Sequence, residues 1–300
     1  MPAVVEVAHL AKSYGSFTAV EDVTFTVEEG EIFGILGPNG AGKTTTVECL
    51  QGLRKADGGE ARVLGHNPRH EAAQLRRKIG SQLQESALPD RLKVWEALGL
   101  FSSLVPGGPS WESVLDQWGL SQKRNAKFGS LSGGQQQRLF IALAVVNAPE
   151  LVFLDEMTTG LDPMSRRATW DLIKQIRDNG STVILVTHFM DEAENLCDRI
   201  AVIDDKRVVA LDTPEGLIQR YAGEAEVTFS AEVDDLSFLL QLDEVHRVDR
   251  QGRRAKVTGT GPLLARVAAE IVRNGIVPVD LEVKRATLED VFLAITEEAR

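Results

Sequence analysis

Gly37-Pro38-Asn39-Gly40-Ala41-Gly42-Lys43-Thr44-Thr45 fits the pattern G-x-x-x-x-G-K-[ST]. No other stretch limits the fold of this chain as much. It follows the apolar run Ile32-Phe33-Gly34-Ile35-Leu36 and precedes a helical pattern through Val47 and Leu50. A strand, a glycine-rich turn and a helix start, in that order, make a phosphate cradle. Glycine lets backbone N–H groups turn inward and approach an anion, where a Cβ would stand in the way. The helix N-terminus adds its partial positive charge. Lys43 can reach the β- and γ-phosphates, and the Thr44 hydroxyl can ligate Mg²⁺. The segment predicts a nucleoside triphosphate site.

A chain of 300 residues has room for one large domain and a small one. Its 43% apolar and 26% charged content is ordinary for a globular protein in water. A net charge of −11 argues against a broad nucleic-acid surface and against adhesion to anionic lipid. No nucleic-acid partner is expected. Cys49 and Cys197 are too few and too far apart for a disulfide framework or a zinc site, and read as small buried hydrophobes in a reducing cytosol. No apolar run approaches the roughly 18 residues that a bilayer-spanning helix needs. The start Met1-Pro2-Ala3-Val4-Val5-Glu6 lacks the pattern of a secretory signal. Any membrane role is therefore expected to come through a partner.

Along the chain, residues 3–36 alternate as strands, with Glu29-Gly30 as a turn. A helix is expected from the phosphate loop to about Leu53, then a turn at Asp57-Gly58-Gly59. Short helical patterns fill 91–121, interrupted by Pro106-Gly107-Gly108-Pro109. Residues 133–147 read as a helix stopped by Asn147-Ala148-Pro149. Leu151-Val152-Phe153-Leu154 and Val183-Ile184-Leu185-Val186 read as buried parallel strands. Between them a helix starts at Asp162-Pro163 and ends at Gly180. Strand, helix, strand at this spacing implies a parallel α/β sheet. The texture changes around Tyr221-Ala222-Gly223-Glu224. Beyond it the pattern predicts strands at 225–229, 244–248, 254–259 and 276–283, and helices near 234–241, at 262–273 and at 288–298, the last capped by Thr287. This part carries no phosphate loop or nucleophile constellation and reads as a small α+β packing or dimerisation module.

Downstream of the phosphate loop, Leu131-Ser132-Gly133-Gly134-Gln135 opens a second helix with exposed N–H groups and a hydroxyl, another grip for phosphate. In this order the sequence resembles the signature of ATP-binding cassette (ABC) proteins, and further parts follow in the family's order. Leu151–Glu156 resembles the Walker B strand. The resemblance implies that Asp155 holds Mg²⁺ through water and that Glu156 polarises the attacking water. Thr159-Gly160-Leu161-Asp162 resembles the D-loop, which touches the partner subunit. His188 matches the switch histidine that contacts the γ-phosphate. Gln84 matches the Q-loop glutamine, a Mg²⁺ ligand; it fits better than Gln82 because the family's acidic or small residue follows Gln84. Tyr14 matches the aromatic that stacks on adenine. No Asn-Lys-x-Asp guanine reader appears, which favours ATP over GTP.

Over about residues 3–220, the resemblance implies a fold with a RecA-like parallel sheet, an antiparallel β subdomain and a helical subdomain at about 85–130. With the small α+β domain, the expected division is 1–222 and 223–300. ATP is implied to bind residues Gly37, Pro38, Asn39, Gly40, Ala41, Gly42, Lys43, Thr44 and Thr45 of one copy, with Lys43, Glu156 and His188 acting in hydrolysis. Leu131, Ser132, Gly133, Gly134, Gln135 and Asp162 are implied to reach the ATP of the opposite copy in a homodimer. Met157 departs from the proline many members carry after the glutamate; proline stiffens a loop, so Met157 is expected to loosen this one. Residues 280–293, ending Thr287-Leu288-Glu289-Asp290-Val291-Phe292-Leu293, resemble the ATPase subunits of daunorubicin-type drug-resistance exporters. Sodium and lipooligosaccharide exporter ATPases share that ending. The implied protein is cytoplasmic and held on the inner face of the membrane by a separate permease. The alternative is a soluble ABC ATPase acting on ribosomes or DNA. Such proteins usually carry two cassettes or long coiled-coil insertions, and this chain has neither.

Overall fold

The computed structural model describes residues 2–82, 87–104, 108–222, 224–232, 235–284 and 286–298. The chain divides into two compact units, Met1–Pro214 and Glu215–Arg300. Residues 215–222, expected in the first domain, fall in the second unit. Their last turn, Ile218–Ala222, packs against the closing helix Leu288–Glu298.

The first unit opens with the long strands β1 (Ala3–Tyr14) and β2 (Phe17–Glu28), then β3 (Ile32–Leu36) and helix α1 (Lys43–Leu50). After β4 (Gly58–Val63), α2 (Ala72–Leu75) and β5 (Ile79–Gln82) come the helices α3 (Val94–Leu104) and α4 (Trp111–Gln117). These two lie in the expected helical portion; residues 85–86, Pro106 and Gly107 are outside the described residues. The unit closes with α5 (Gly133–Val145), β6 (Leu151–Asp155), α6 (Pro163–Asp178), β7 (Thr182–Thr187), α7 (Met190–Leu196), β8 (Arg199–Asp204) and β9 (Arg207–Asp212).

These nine strands form one sheet, ordered β4-β1-β2-β9-β8-β3-β7-β6-β5. The centre is parallel, from β8 through β3, β7 and β6 to β5. β1 pairs antiparallel with β2 and β4, so the antiparallel portion continues the parallel sheet. Every residue of β3, β6 and β7 is buried, which is why these strands read as unbroken apolar runs.

Helix α1 stops earlier than expected. The Gly52 and Leu53 N–H groups close back on the Cys49 and Glu48 carbonyls at 3.1 and 2.9 Å, a Schellman ending. Gly58 and Gly59, expected as a turn, start β4 instead. Gly59 sits at φ 76° where β1 shifts register, and a Cβ there would come within 2.1 Å of the His9 carbonyl oxygen. Helix α5 ends at Val145, two residues before Asn147.

Registers Leu36↔Thr187, Asp155↔Val186 and Gln82↔Leu154 align the carboxyl ends of four parallel strands on one edge of the sheet. In open parallel sheets, ligands bind outside that edge. The phosphate loop, Asp155 and His188 all leave the sheet there.

Helix α8 (Pro214–Leu217) spans the division between the units. The second unit holds β10 (Ala225–Ser230), β11 (Val245–Gln251), β12 (Arg254–Gly259), α9 (Leu263–Arg273), β13 (Val279–Lys284) and α10 (Leu288–Glu298). Its strands form an antiparallel sheet ordered β11-β12-β10-β13. α9 buries Leu263, Val267 and Ile271, one helical stripe, in a core with Val227, Phe229 and Val257. The helix expected near 234–241 is a 3₁₀ run, Ser237–Gln241, entered through a bond from Ser237 N–H to Asp235 Oδ1; residue 234 is outside the described residues. At α10 the Asp290 carboxylate accepts both the N–H and the hydroxyl of Thr287 at 2.9 Å. An acid in the first turn thus fixes Thr287.

Candidate nucleotide site

The loop from β3 to α1 is shaped by glycine and closed by lysine. Gly42 caps α1 at φ 100°, and a Cβ there would meet the Ala19 carbonyl oxygen at 2.4 Å. No L side chain fits. Lys43 Nζ is buried and donates to the Gly37 and Pro38 carbonyls at 2.9 and 3.0 Å. The lysine therefore folds back over its own loop, and burial lowers its proton affinity while Glu156 and Asp155 raise it. Asn39, Gly40 and residues 42–45 line an open recess of about 280 Å³, faced by Phe17, Ala19 and Glu156. Ala41 is buried behind it.

Asp155 ends β6 with its side chain buried. Burial pushes its carboxyl up to about 6 from 3.8, opposed by a hydrogen bond with the Thr44 hydroxyl and by the Lys43 charge. Its Oδ1 has no hydrogen-bond partner. A buried carboxylate oxygen left without a donor, next to a threonine hydroxyl, is an oxygen set suited to a hard divalent cation. Among the described residues no group of three His, Cys, Asp or Glu could hold a metal. A cation here would draw its remaining ligands from phosphate oxygens and water, as Mg²⁺ does.

Asp155 also carries a pH signature. Its folded-state pKa is raised, so the folded chain holds this proton more tightly than the unfolded chain. Its contribution to stability is then greatest below 3.8 and is lost as pH rises to about 6. Asp155→Asn removes that penalty, on the order of 3 kcal/mol. Without nucleotide and with a chelator, the variant is expected to melt higher than wild type at neutral pH, the gap closing towards about pH 4. Equal melting temperatures at neutral pH would refute the burial argument.

Glu156 leaves the strand in the left-handed region at φ 48°, its N–H bonded to the Val186 carbonyl at 2.9 Å. Its side chain is 9% exposed, and Oε1 lies 4.0 Å from Lys43 Nζ and 3.4 Å from His188 Nδ1. His188 Nδ1 makes no aligned hydrogen bond there. Lys43, Asp155, Glu156 and His188 thus converge from three strand ends on one place. Met157 is buried, so packing, in place of a proline ring, ties down the exit of the loop.

Gln84 is outside the described residues. Gln82 is buried, and its Oε1 accepts from Gln137 Nε2 at 3.2 Å. Tyr14 is 42% exposed at the end of β1, with Lys12 Nζ 5.3 Å and the Arg54 guanidinium 6.0 Å from the ring centre. The aromatic on the wall of the phosphate-loop recess is Phe17, cross-strand partner of Tyr14. Phe17 is the residue that motif reading missed. Its signal was its place three residues past Tyr14 in a tight hairpin.

The second helix opening lies elsewhere. Ser132 N–H donates to Gln135 Oε1 at 3.2 Å at the start of α5, and Leu131 is buried beneath it. Ser132, Gly134 and Gln135 line a recess of about 550 Å³ with Arg138 and Ser165. A Cβ on Gly134 would touch Ser165 Oγ at 3.4 Å, and Ser165 in turn donates to Asp162, the N-cap of α6. Asp162 and 132–135 therefore sit together. None of the residues lining this recess lines the phosphate-loop recess.

Residues 20–159 match the model of a family described as ABC transporter. The daunorubicin/doxorubicin resistance ATP-binding protein DrrA of Streptomyces peucetius is 36% identical over 97% of this chain and 92% of its own. The chain belongs to the ATP-binding proteins of ABC transporters. A Nod factor export ATP-binding protein I from Rhizobium sp. (strain N33) is 35% identical over 97% of this chain and 96% of its own. A solved dimeric post-hydrolysis state of an ATP-binding cassette bound to ADP and Pi superposes with TM-score 0.63 at 28% identity, covering 70% of this chain and 98% of that one. As an ABC ATPase the chain binds and hydrolyses ATP. Among the described residues no helix is long and apolar enough to cross a membrane.

Proposed function

We propose that this ABC ATPase is the energy-supplying subunit of a bacterial-type exporter, working as a homodimer around two ATP molecules. One observation carries the reading: the phosphate loop and the 132–135 opening line different recesses of one chain. Both are helix starts suited to phosphate, so one triphosphate meets both only when a second copy brings its 132–135 opening to the first copy's loop. The solved dimeric cassette with ADP and Pi supports that pairing.

In the proposed cycle Lys43 exchanges the Gly37 and Pro38 carbonyls for β- and γ-phosphate oxygens. Thr44 and Asp155, with Gln84, would hold Mg²⁺, whose charge offsets that of the phosphates. His188 approaches the γ-phosphate, and Glu156 takes a proton from the water that attacks it. Tyr14 and Phe17 flank the adenine side. Ser132, Gly133 and Asp162 meet the ATP held by the other copy. ATP favours the closed dimer and its hydrolysis releases it, a population shift driven by differential binding.

Export, as opposed to uptake, rests on the names of the full-length relatives, which speak of drug resistance and Nod factor export. The cargo passes through a separate membrane permease, which holds this subunit on the cytoplasmic face. Candidate cargoes are drugs or other hydrophobic compounds, lipid-linked sugars or ions.

Ser132→Arg tests the pairing. The bulky cation at the 132–135 opening is expected to abolish ATP-induced dimerisation, read by light scattering, and to cut turnover. The isolated chain should still bind ATP with the wild-type dissociation constant. Loss of ATP binding in the monomer, or dimers forming as before, would overturn the two-copy arrangement.

A further inference from the structure

One donor and two nearby hydroxyls gather around a buried carboxyl that no step above uses. Glu192, in the first turn of α7, has no exposed surface. Trp170 Nε1 of α6 donates to its Oε1 at 3.0 Å. The Thr187 hydroxyl, one residue before His188, and the Thr158 hydroxyl, two residues after Glu156, face the same carboxyl and favour its charge against the cost of burial. Oε2 and the Thr158 hydroxyl close no aligned hydrogen bond. The carboxyl is thus tied to α6 and approached, without a completed bond, from the Glu156 side. A parallel tie joins the same helices: the Arg166 guanidinium of α6 stacks 4.1 Å from the Phe189 ring centre and reaches Asp191 Oδ2 at 3.5 Å.

Among the described residues no cation pairs with Glu192. A carboxyl buried without one costs stability that an apolar side chain of similar length would not. What the carboxyl supplies is a common anchor for the flanks of Glu156 and His188. We propose that Glu192 is a positioning residue for hydrolysis, fixing the segment that carries His188 against the segment that carries Glu156. The 3.4 Å approach of His188 Nδ1 to Glu156 Oε1 depends on that anchor. This inference rests on the roles given above to Glu156 and His188.

The test is a double-mutant cycle on the full chain with Mg²⁺-ATP, reading phosphate release and ATP binding. Glu192→Leu is expected to lower kcat about tenfold, the scale of one lost aligned hydrogen bond to a charged group. KM for ATP should stay near wild type, because the Lys43 loop is untouched, and the melting temperature should hold or rise. Glu192→Gln, which still accepts from Trp170, should recover most of the rate. In a His188→Ala background, Glu192→Leu should add no further loss. Wild-type kcat in Glu192→Leu, or the same tenfold loss repeated in the His188→Ala background, overturns the proposal. Wild-type kcat in His188→Ala alone would refute the reading of the site itself, and the proposal with it. Should Glu192→Leu fail to fold, Trp170→Phe removes one donor and keeps a ring. Its smaller loss of kcat should likewise vanish in the His188→Ala background, and persistence there overturns the proposal.

Discussion

Glu156→Gln is expected to lower ATP turnover by about a hundredfold or more, the scale of losing a general base, while ATP still binds. Glutamine keeps the length and shape of the side chain but cannot accept a proton from water. The site tolerates it sterically, because the side chain keeps its shape and the backbone at φ 48° keeps its bond from the Glu156 N–H to the Val186 carbonyl. The change also removes a negative charge 4.0 Å from Lys43 Nζ, which leaves that lysine freer to pair with phosphate. Affinity for ATP is therefore expected to hold or rise, and ATP-bound dimers should accumulate because their exit step is blocked. Single-turnover phosphate release beside light scattering checks both halves. Turnover within a few-fold of wild type would remove Glu156 from the chemistry. Lost ATP binding would mean that the carboxylate shapes the phosphate loop.

Most of what positions this site was legible because the parallel strands are buried on both faces. Leu151–Asp155 and Thr182–Thr187 carry no exposed residue, so burial writes them as apolar runs that end where the functional residues begin. The phosphate loop was legible for a steric reason: Gly42 has the Ala19 carbonyl against it and cannot be replaced quietly. The hairpin β8–β9 left no comparable mark. It turns through Asp205 and Lys206 at φ 40° and 66°, left-handed positions for which glycine or asparagine is the usual signal. Gly58-Gly59 misled in the opposite sense, since a bulge and a turn both call for glycine and only the pairing with β1 separates them. Phe17 escaped notice because the alternation of β2 says which face it takes, not which loop lies opposite. Glu192 was invisible for a like reason: its donor Trp170, 22 residues earlier, and the neighbouring Thr158 hydroxyl come to it only in the fold.

Lys43→Ala is expected to weaken ATP binding by about a hundredfold to a thousandfold, the cost of two charge-assisted contacts to phosphate. The side chain is built for exchange. Nζ is buried and donates to the neutral Gly37 and Pro38 carbonyls, so a triphosphate offers it charged acceptors in their place. Removing it also leaves Asp155 and Glu156 without the cation that both now attract, so bound phosphate would meet uncompensated like charge. The fold should survive, because the Ala41 N–H still closes on the Pro38 carbonyl and the Thr46 N–H on the Gly42 carbonyl, at 3.3 and 2.9 Å. Isothermal titration with ATP and a melting curve separate the two effects: affinity collapses while the melting temperature moves little. An affinity within about threefold of wild type, under half a log unit in Kd, would show that the glycine-rich turn binds phosphate through its backbone alone.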